Sequence, residues 1–352
     1  MPITFEGVSY SYTNPDRQEK KRRKRAAKAQ RSTKAAQAAA AARAEDAPSL
    51  EAHGKPAWGT AADAVWALRD INFALEDGEF LGIAGHTGSG KSTLIQHMNG
   101  LVHPTSGRVW CDGEDLADKQ VAQKCRGQVG VVFQYPEHQL FAATVYDDVA
   151  FGPRNLKLDD NEVDRRVRAA LDQVHLPFDA VQDRSPFELS GGQQRRVAFA
   201  GVLAMRPRVL VLDEPVAGLD PLARTEFLNL IDELHANGLT VVMVSHNMDD
   251  LARLANRILV LNEGTLFALG TPAEVFAHGD ELRAIGLDVP AAQKMACDLR
   301  TCGFNLPRTL YDEETLAHDL ATNILEKAAS HEELEEFAHA AVSSSQAFES
   351  RN

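Results

Sequence analysis

The eight residues Gly85-His86-Thr87-Gly88-Ser89-Gly90-Lys91-Ser92 constrain this chain more than any other stretch. They fit the pattern G-x-x-x-x-G-K-[ST], in which the glycines let the backbone wrap with its N–H groups pointing inward. An apolar strand is predicted over 80–84, directly before the loop, and a helix over 92–99, directly after it. Strand, glycine loop and helix in that order open an α/β unit. The inward N–H groups and the helix N-terminus then make a cradle for phosphate. In such a cradle Lys91 neutralises the terminal phosphates of a nucleoside triphosphate and the Ser92 hydroxyl ligates Mg²⁺. A chance glycine turn would not need both flanks. By itself the loop specifies phosphate binding and nothing narrower.

A second apolar strand, 209–212, runs into the carboxylates Asp213 and Glu214. Successive strand residues point to opposite sides, so the two can do different work. Asp213 suits a metal ion held through water, and Glu214 suits a general base that polarises the attacking water. An acidic strand end is common, but the carboxyl ends of parallel strands are where ligands bind in such sheets. Further strands are predicted over 3–12, 71–75, 108–111, 129–133 and 240–244, with a hairpin pair at 258–261 and 265–268. Helical spacing fits 161–174, 192–205 and 221–236. Apolar strands alternating with helices imply a mostly parallel sheet covered on both faces. After Pro272 the pattern is helical with short breaks; 332–341 reads as an acidic helix and 343–352 as a frayed end.

Composition limits the setting. The 352 residues are 44% apolar and 25% charged, the profile of an ordinary globular protein. Apolar runs such as Val209–Leu212 fall far short of the roughly 20 residues of a spanning helix, and the N-terminus has no signal-peptide core. A cytosolic chain is expected, reaching any membrane through a partner. The four cysteines, 111, 125, 297 and 302, lack metal-ligand spacing, so reduced thiols are expected. Net charge is −13, but residues 17–43 hold eleven Lys or Arg and one Glu. Outside that block the chain carries −23, which argues against general nucleic-acid binding.

The pentapeptide Leu189-Ser190-Gly191-Gly192-Gln193 stands just before another helix. Ser190 can cap that helix, and Gly191 and Gly192 leave N–H groups free, a second anion-binding helix start. With this pentapeptide the chain resembles the ABC ATPase family. The resemblance runs from residue 1 to about 275, broken only by 14–64. It implies a P-loop NTPase fold of class α/β: a mostly parallel sheet flanked by helices, an antiparallel β subdomain, a helical signature subdomain and a C-terminal helical extension. It implies ATP and Mg²⁺ as ligands, with ATP held by residues 85–92, Thr93, Gln134 and His246. Gln134 matches the family's glutamine loop, which touches Mg²⁺ and water and faces the membrane partner. Asp220, in Ala217-Gly218-Leu219-Asp220, matches the loop that links the two sites of a dimer, and His246 the histidine at the γ-phosphate. Tyr12 fits the aromatic that stacks on adenine, with Tyr10 as competitor. In that family Ser190, Gly191, Gly192 and Gln193 would contact ATP held by the opposite subunit. One cradle and one signature in this chain therefore imply a second ATPase subunit, identical or different.

Narrower stretches are similar to energy-coupling factor transporters, closest to the second of their two ATPase types. They are 85–97, 132–141, Ala150-Phe151-Gly152-Pro153 and 195–205. That resemblance implies an importer of vitamins or transition-metal ions, with a transmembrane coupling protein and a substrate-binding membrane protein as partners. It places the chain on the cytoplasmic face of the membrane. The expected organisation is an ATPase domain over 1–272, a basic, Ala-rich insertion over 14–64 within it, and a helical extension over 273–352. Val216 departs from the family's usual Thr, and the insertion and the tail past about 320 depart from its length. The insertion reads most simply as a solvated low-complexity loop. A sharper reading gives 17–43 a contact with anionic lipid headgroups, and a nucleic-acid tether is the third. Two rival functions keep the core motifs: a soluble ABC ATPase acting on nucleic acid or ribosomes, and the ATPase of another importer or exporter. The first rival is disfavoured because only about 100 residues separate Lys91 from Ser190, with no heptad run between.

Overall fold

The structure, a computed structural model, describes residues 2–12, 65–307 and 309–325. The expectations for the 14–64 insertion and for 332–352 lie outside the described residues. Among the described residues the strands form two sheets. One is antiparallel, in the order β2 (Trp66–Leu75), β1 (Ile3–Ser11), β4 (Ser106–Cys111), β5 (Glu114–Asp115). The other has the order β10 (Thr265–Gly270), β9 (Arg257–Asn262), β3 (Phe80–Ala84), β8 (Thr240–Val244), β7 (Val209–Asp213), β6 (Val129–Val132). Its strands β9, β3, β8, β7 and β6 run parallel and only β10 is antiparallel. The mixed α/β class follows the expectation from the alternating apolar strands and helices.

Period-two geometry divides the parallel strands between two cores. Leu81, Ile83, Val209, Val211, Val242 and Val244 face the antiparallel sheet and helix α1 (Lys91–Met98). Phe80, Leu210, Leu212, Val241 and Met243 face the other side. There they meet α6 (Gly191–Leu203), α7 (Pro221–Ala236) and α8 (Met248–Leu254) through Phe199, Phe227, Ile231 and Leu251. Helices α3 (Val145–Asn155), α4 (Asp160–Gln173) and α5 (Phe178–Val181) add Val149, Val167, Leu171 and Val181 to that core. The buried interior therefore lies on both faces of the sheet, as a doubly covered parallel sheet requires.

Four helices went unpredicted: the four-residue α5 and three others, each of these three for a visible reason. Helix α2 (Lys119–Gln128) buries only Ala122 and Cys125, too few to mark a period, and is started by the Asp118 side chain accepting from the N–H groups of Gln120 and Val121. Helix α3 carries Pro153 in its interior, and α8 has only seven residues. Strand β2 starts at Trp66, five residues before the predicted strand, because it pairs with the whole of β1 from Leu75 opposite Ile3 to Trp66 opposite Ser11. Ser11 and Trp66 thus face each other at the end of the ladder, and the Ser11 hydroxyl donates to Val65 O at 2.9 Å.

Beyond β10, α9 (Pro272–Phe276) and α10 (Gly279–Ala284) still feed Val275, Phe276 and Leu282 into the large core. Helix α11 (Ala291–Thr301) does not: with residues 306–320 it forms a small separate cluster around Ala296, Leu306, Leu310 and Leu316. No helix among the described residues is long and apolar enough to cross a membrane. All four cysteines are free thiols, with Cys111 and Cys125 buried.

Candidate active site

Parallel strands end on one edge, and the sheet order brings four of those ends together. The loop after β3 holds 85–90, β6 is followed by Gln134, β7 ends in Asp213 and Glu214, and β8 is followed by His246. Register fixes their mutual height: Val132 lies opposite Leu212, Asp213 opposite Val244, and Ile83 opposite Val244. The result is a cleft of about 650 Å³ lined by Tyr12, Ala67, Thr87, Gly88, Gly90, Lys91, Ser92, Thr93, Gln134, Asp213, Glu214, Ala217 and His246. Eleven of these thirteen are residues proposed from sequence for nucleotide, metal or catalysis. Ala67, on β2, was not foreseen; a small apolar strand residue carries no motif.

The cradle depends on two glycines that no other residue could replace without movement. Gly90 precedes α1 with φ of 104°, and a Cβ there would come within 2.4 Å of Ala67 O. At Gly85 a Cβ would come within 2.4 Å of Ser89 Oγ and 2.6 Å of Leu261 O. Gly85, His86 and Ser89 shape the loop from behind and do not line the cleft. The His86 ring nitrogens lie 2.8 Å from Thr87 O and 3.2 Å from Asn262 Oδ1, and Ser89 is fully buried. The Lys91 ammonium folds over the loop and donates to Gly85 O at 2.5 Å and His86 O at 3.0 Å. Burial pulls its pKa down, against the charges of Glu214 and Asp213.

The acidic pair divides as the strand geometry requires. The Ser92 hydroxyl donates to Asp213 Oδ2 at 3.4 Å, so a hydroxyl and a carboxylate converge from α1 and β7. Burial raises the Asp213 carboxyl, opposed by that hydrogen bond and by the charges of Lys91 and His246. Glu214 leaves the strand at φ of 50°, a left-handed conformation that a non-glycine residue seldom adopts. Its N–H still bonds Val244 O at 3.1 Å, which carries the ladder one residue past the strand. Burial pushes the Glu214 carboxyl up to about 7, with a backbone hydrogen bond from His246 pulling the other way and the Asp213 charge adding to the rise. The His246 Nε2 stands 3.3 Å from Glu214 Oε1. Burial and the Lys91 charge lower the imidazole pKa, with the Asp213 charge opposing.

The two tyrosines separate cleanly. Tyr10 is buried at 8% exposure, edge-on to His97 with centroids 5.0 Å apart, and is part of the core. Tyr12 is 64% exposed, lines the cleft, and shares a hydrogen bond of 2.8 Å with Thr93 Oγ1.

The signature residues stand elsewhere. Ser190 and Gln193 form a capping box, with the Ser190 N–H donating to Gln193 Oε1 at 3.1 Å. Ser190, Gly191, Gly192 and Gln193 line a second cleft of about 540 Å³ together with Glu137, Arg195, Gly218 and Asp220. The two clefts share no lining residue. Asp220 caps α7, its Oδ1 accepting from the N–H groups of Leu222 and Ala223 at 3.0 Å. Arg195 and Glu137 were not proposed as site residues. Their carboxylate–guanidinium pairing spans 58 positions, and no local pattern announces it.

Oxygen donors suited to Mg²⁺ are present: the Ser92 hydroxyl, the Gln134 amide and the Asp213 carboxylate line one cleft. No cluster of three or more His, Cys, Asp or Glu able to hold a metal occurs among the described residues.

A family model described as ABC transporter matches residues 68–217. The chain is 60% identical over 242 residues to the energy-coupling factor transporter ATP-binding protein EcfA2 of Symbiobacterium thermophilum, covering 68% of this chain and 84% of that protein. Among solved structures it is similar to cbiO1 from Clostridium perfringens, part of the ABC transporter complex cbiONQ, at 33% identity and a TM-score of 0.60, over 80% of this chain and 93% of that one. It is also similar to a bacterial ABC transporter cassette solved as a dimer, at 25% identity and a TM-score of 0.56, over 76% and 98% of the two chains. A relative matched at this identity over most of its length places the chain in its family: it belongs to the energy-coupling factor transporter ATP-binding proteins, ATPases of the ABC transporter class.

Proposed function

We propose that this chain is the ATP-hydrolysing subunit of an energy-coupling factor importer and works as one half of a pair of ATPases. The observation that carries the pairing is the separation of the two clefts: cradle and signature lie on one chain without a common lining residue. A complete site then needs the cradle of one subunit and the signature of another, and a similar cassette is dimeric. In this reading Lys91 and the loop N–H groups hold the phosphates, and Ser190, Gly191, Gly192 and Gln193 close on the γ-phosphate from the opposite subunit. Glu214 takes the proton of the attacking water and His246 orients it. Ser92, Gln134 and Asp213 would hold Mg²⁺, which when bound would neutralise charge on the phosphates. Asp220 sits where the two subunits would meet.

The route to the membrane starts after Gln134. Phe141 and Phe151 stand 61% and 50% exposed, edge-on at 4.9 Å between centroids, in a cleft that also takes in Leu156 and Met205. Exposed aromatic residues in a cleft mark an interaction site, and this one fits the transmembrane coupling protein. A substrate-binding membrane protein would then deliver the cargo, a vitamin or a transition-metal ion, with this chain peripheral on the cytoplasmic face. Purification of the tagged chain from its native membranes tests the reading. A second ATPase and small membrane proteins are the expected company; nucleic acid or ribosomes alone would replace it with a soluble ATPase.

Two finer assignments have their own tests. Tyr12→Ala should raise KM for ATP by roughly 10- to 100-fold, the value of one base–aromatic stack, with kcat nearly unchanged because stacking is common to ground and transition states. An unaltered KM would return the adenine contact to some other group. The basic block of residues 17–43 is assigned to anionic headgroups, at roughly 1 kcal/mol per Lys or Arg near the surface. Deleting it should abolish sedimentation with anionic liposomes at low salt, and undiminished sedimentation rejects that contact.

A further inference from the structure

One side chain joins three segments that the proposed function uses separately. Arg195, 3% exposed, lies one turn into α6, the helix that the signature loop begins. Its Nε and Nη2 donate to the two carboxylate oxygens of Glu137 at 3.0 and 2.8 Å. Glu137 belongs to the short turn Pro136–Gln139, just past Gln134. From the same guanidinium Nη1 donates to Pro215 O at 3.1 Å and to Ala217 O at 2.9 Å. Those carbonyls belong to the loop that leaves Glu214 and runs to Asp220. A planar guanidinium with fixed donor directions can hold a carboxylate on one edge and carbonyls on another. A second contact runs in parallel: a Cβ on Gly218 would lie 3.4 Å from Tyr135 Cε1, so the ring beside Glu137 already rests on the same loop.

The geometry points to Arg195 and Glu137 as positioning residues: a buried clamp that moves the loop after Glu214 together with the partner-facing turn at 136–139, so that partner docking sets the geometry of hydrolysis. This rests on the proposed function above, which supplies the hydrolysis and the partner. Neither residue touches the nucleotide cleft; both act through groups that do. Glu214 stands one residue before Pro215, in its unusual left-handed conformation. Releasing Pro215 O and Ala217 O would let that conformation relax. A shift of about 1 Å at a reacting group can cost on the order of 10²-fold in rate.

The test uses the full chain assembled with its second ATPase and membrane proteins in proteoliposomes. Glu137→Gln keeps the shape and one acceptor but removes the charge; Arg195→Met removes the donors at similar volume. Each should lower kcat for ATP by about tenfold with KM within about twofold, and cargo moved per ATP hydrolysed should fall as well. Arg195→Lys, which can reach Glu137 but not both carbonyls, should leave kcat intermediate. A structural staple predicts the opposite split: a lower melting temperature with wild-type kcat and wild-type cargo per ATP in the folded fraction. That outcome overturns the proposal. Should Arg195→Met fail to fold, Glu137→Gln decides alone. Failure of the underlying function is distinguishable, because then the wild-type assembly itself neither hydrolyses ATP nor moves cargo.

Discussion

Replacing Glu214 by Gln should cut steady-state ATP hydrolysis by roughly 10²–10⁴-fold, the contribution of a positioned general base, while ATP still binds. Gln is isosteric and keeps an acceptor toward His246, so the ladder bond from the Glu214 N–H to Val244 O should survive. What it cannot do is take a proton. The wild-type carboxyl suits proton transfer, since burial lifts it to about 7, where a base is both available and strong enough to draw a proton from water. The positive charge of Lys91 opposes the rise, and at about 7 a substantial share of the carboxyl is ionised near neutral pH. With hydrolysis blocked and binding intact, the variant should accumulate as an ATP-filled pair with the second ATPase. Phosphate release and gel filtration in Mg-ATP read both consequences. A variant that turns over like wild type would remove Glu214 from the role of base.

Lys91→Ala should act one step earlier, on binding. The ammonium is 8% exposed and held by two loop carbonyls, Gly85 O and His86 O. Two phosphate groups would replace those weak partners with charged ones. Truncating one member of a buried charged contact costs roughly 2–5 kcal/mol, about 30- to 4,000-fold in affinity. Titration with a fluorescent ATP analogue should show that loss. Lys91→Arg should recover little of it, because a branched guanidinium does not fit where a single Nζ sits 2.5 Å from Gly85 O. The melting temperature has to be read alongside. Removing Lys91 also strips Asp213 and Glu214 of a cation whose charge pulls both carboxyl pKa values down against the larger rise that burial causes. An unchanged dissociation constant in a folded Lys91→Ala protein would show that the loop N–H groups hold the phosphates unaided.

Most of the nucleotide cleft was legible in one dimension. The cradle, the acidic strand end and the signature each pack their chemistry into five to eight consecutive residues, and local backbone geometry is enough to read such segments. Strand β3 and helix α1 came out within one residue of expectation for the same reason. Helices α2, α3 and α8 did not. Helix α2 buries too few residues to mark an apolar period, Pro153 interrupts the helical pattern of α3, and α8 is too short to repeat one.

The amino-acid order by itself determined that this chain carries one cradle and one signature, and hence half of what two complete sites require. Motif chemistry is local, so counting motifs needs no fold. The tertiary structure decided everything that depends on which strands are neighbours. Placing β8 beside β3 and β7 beside β8 brings Asp213, Glu214 and His246 to the cleft that Lys91 lines, although 121 positions separate Ser92 from Asp213. The packing of β1 buries Tyr10 and leaves Tyr12 in the cleft, a choice that alternation alone left open. Only the folded chain joins Arg195 to Glu137 across 58 positions and to Pro215 and Ala217 beyond. Periodicity tells a side chain which face to occupy; the partner it meets there is set by sheet order and helix packing, which are properties of the whole chain.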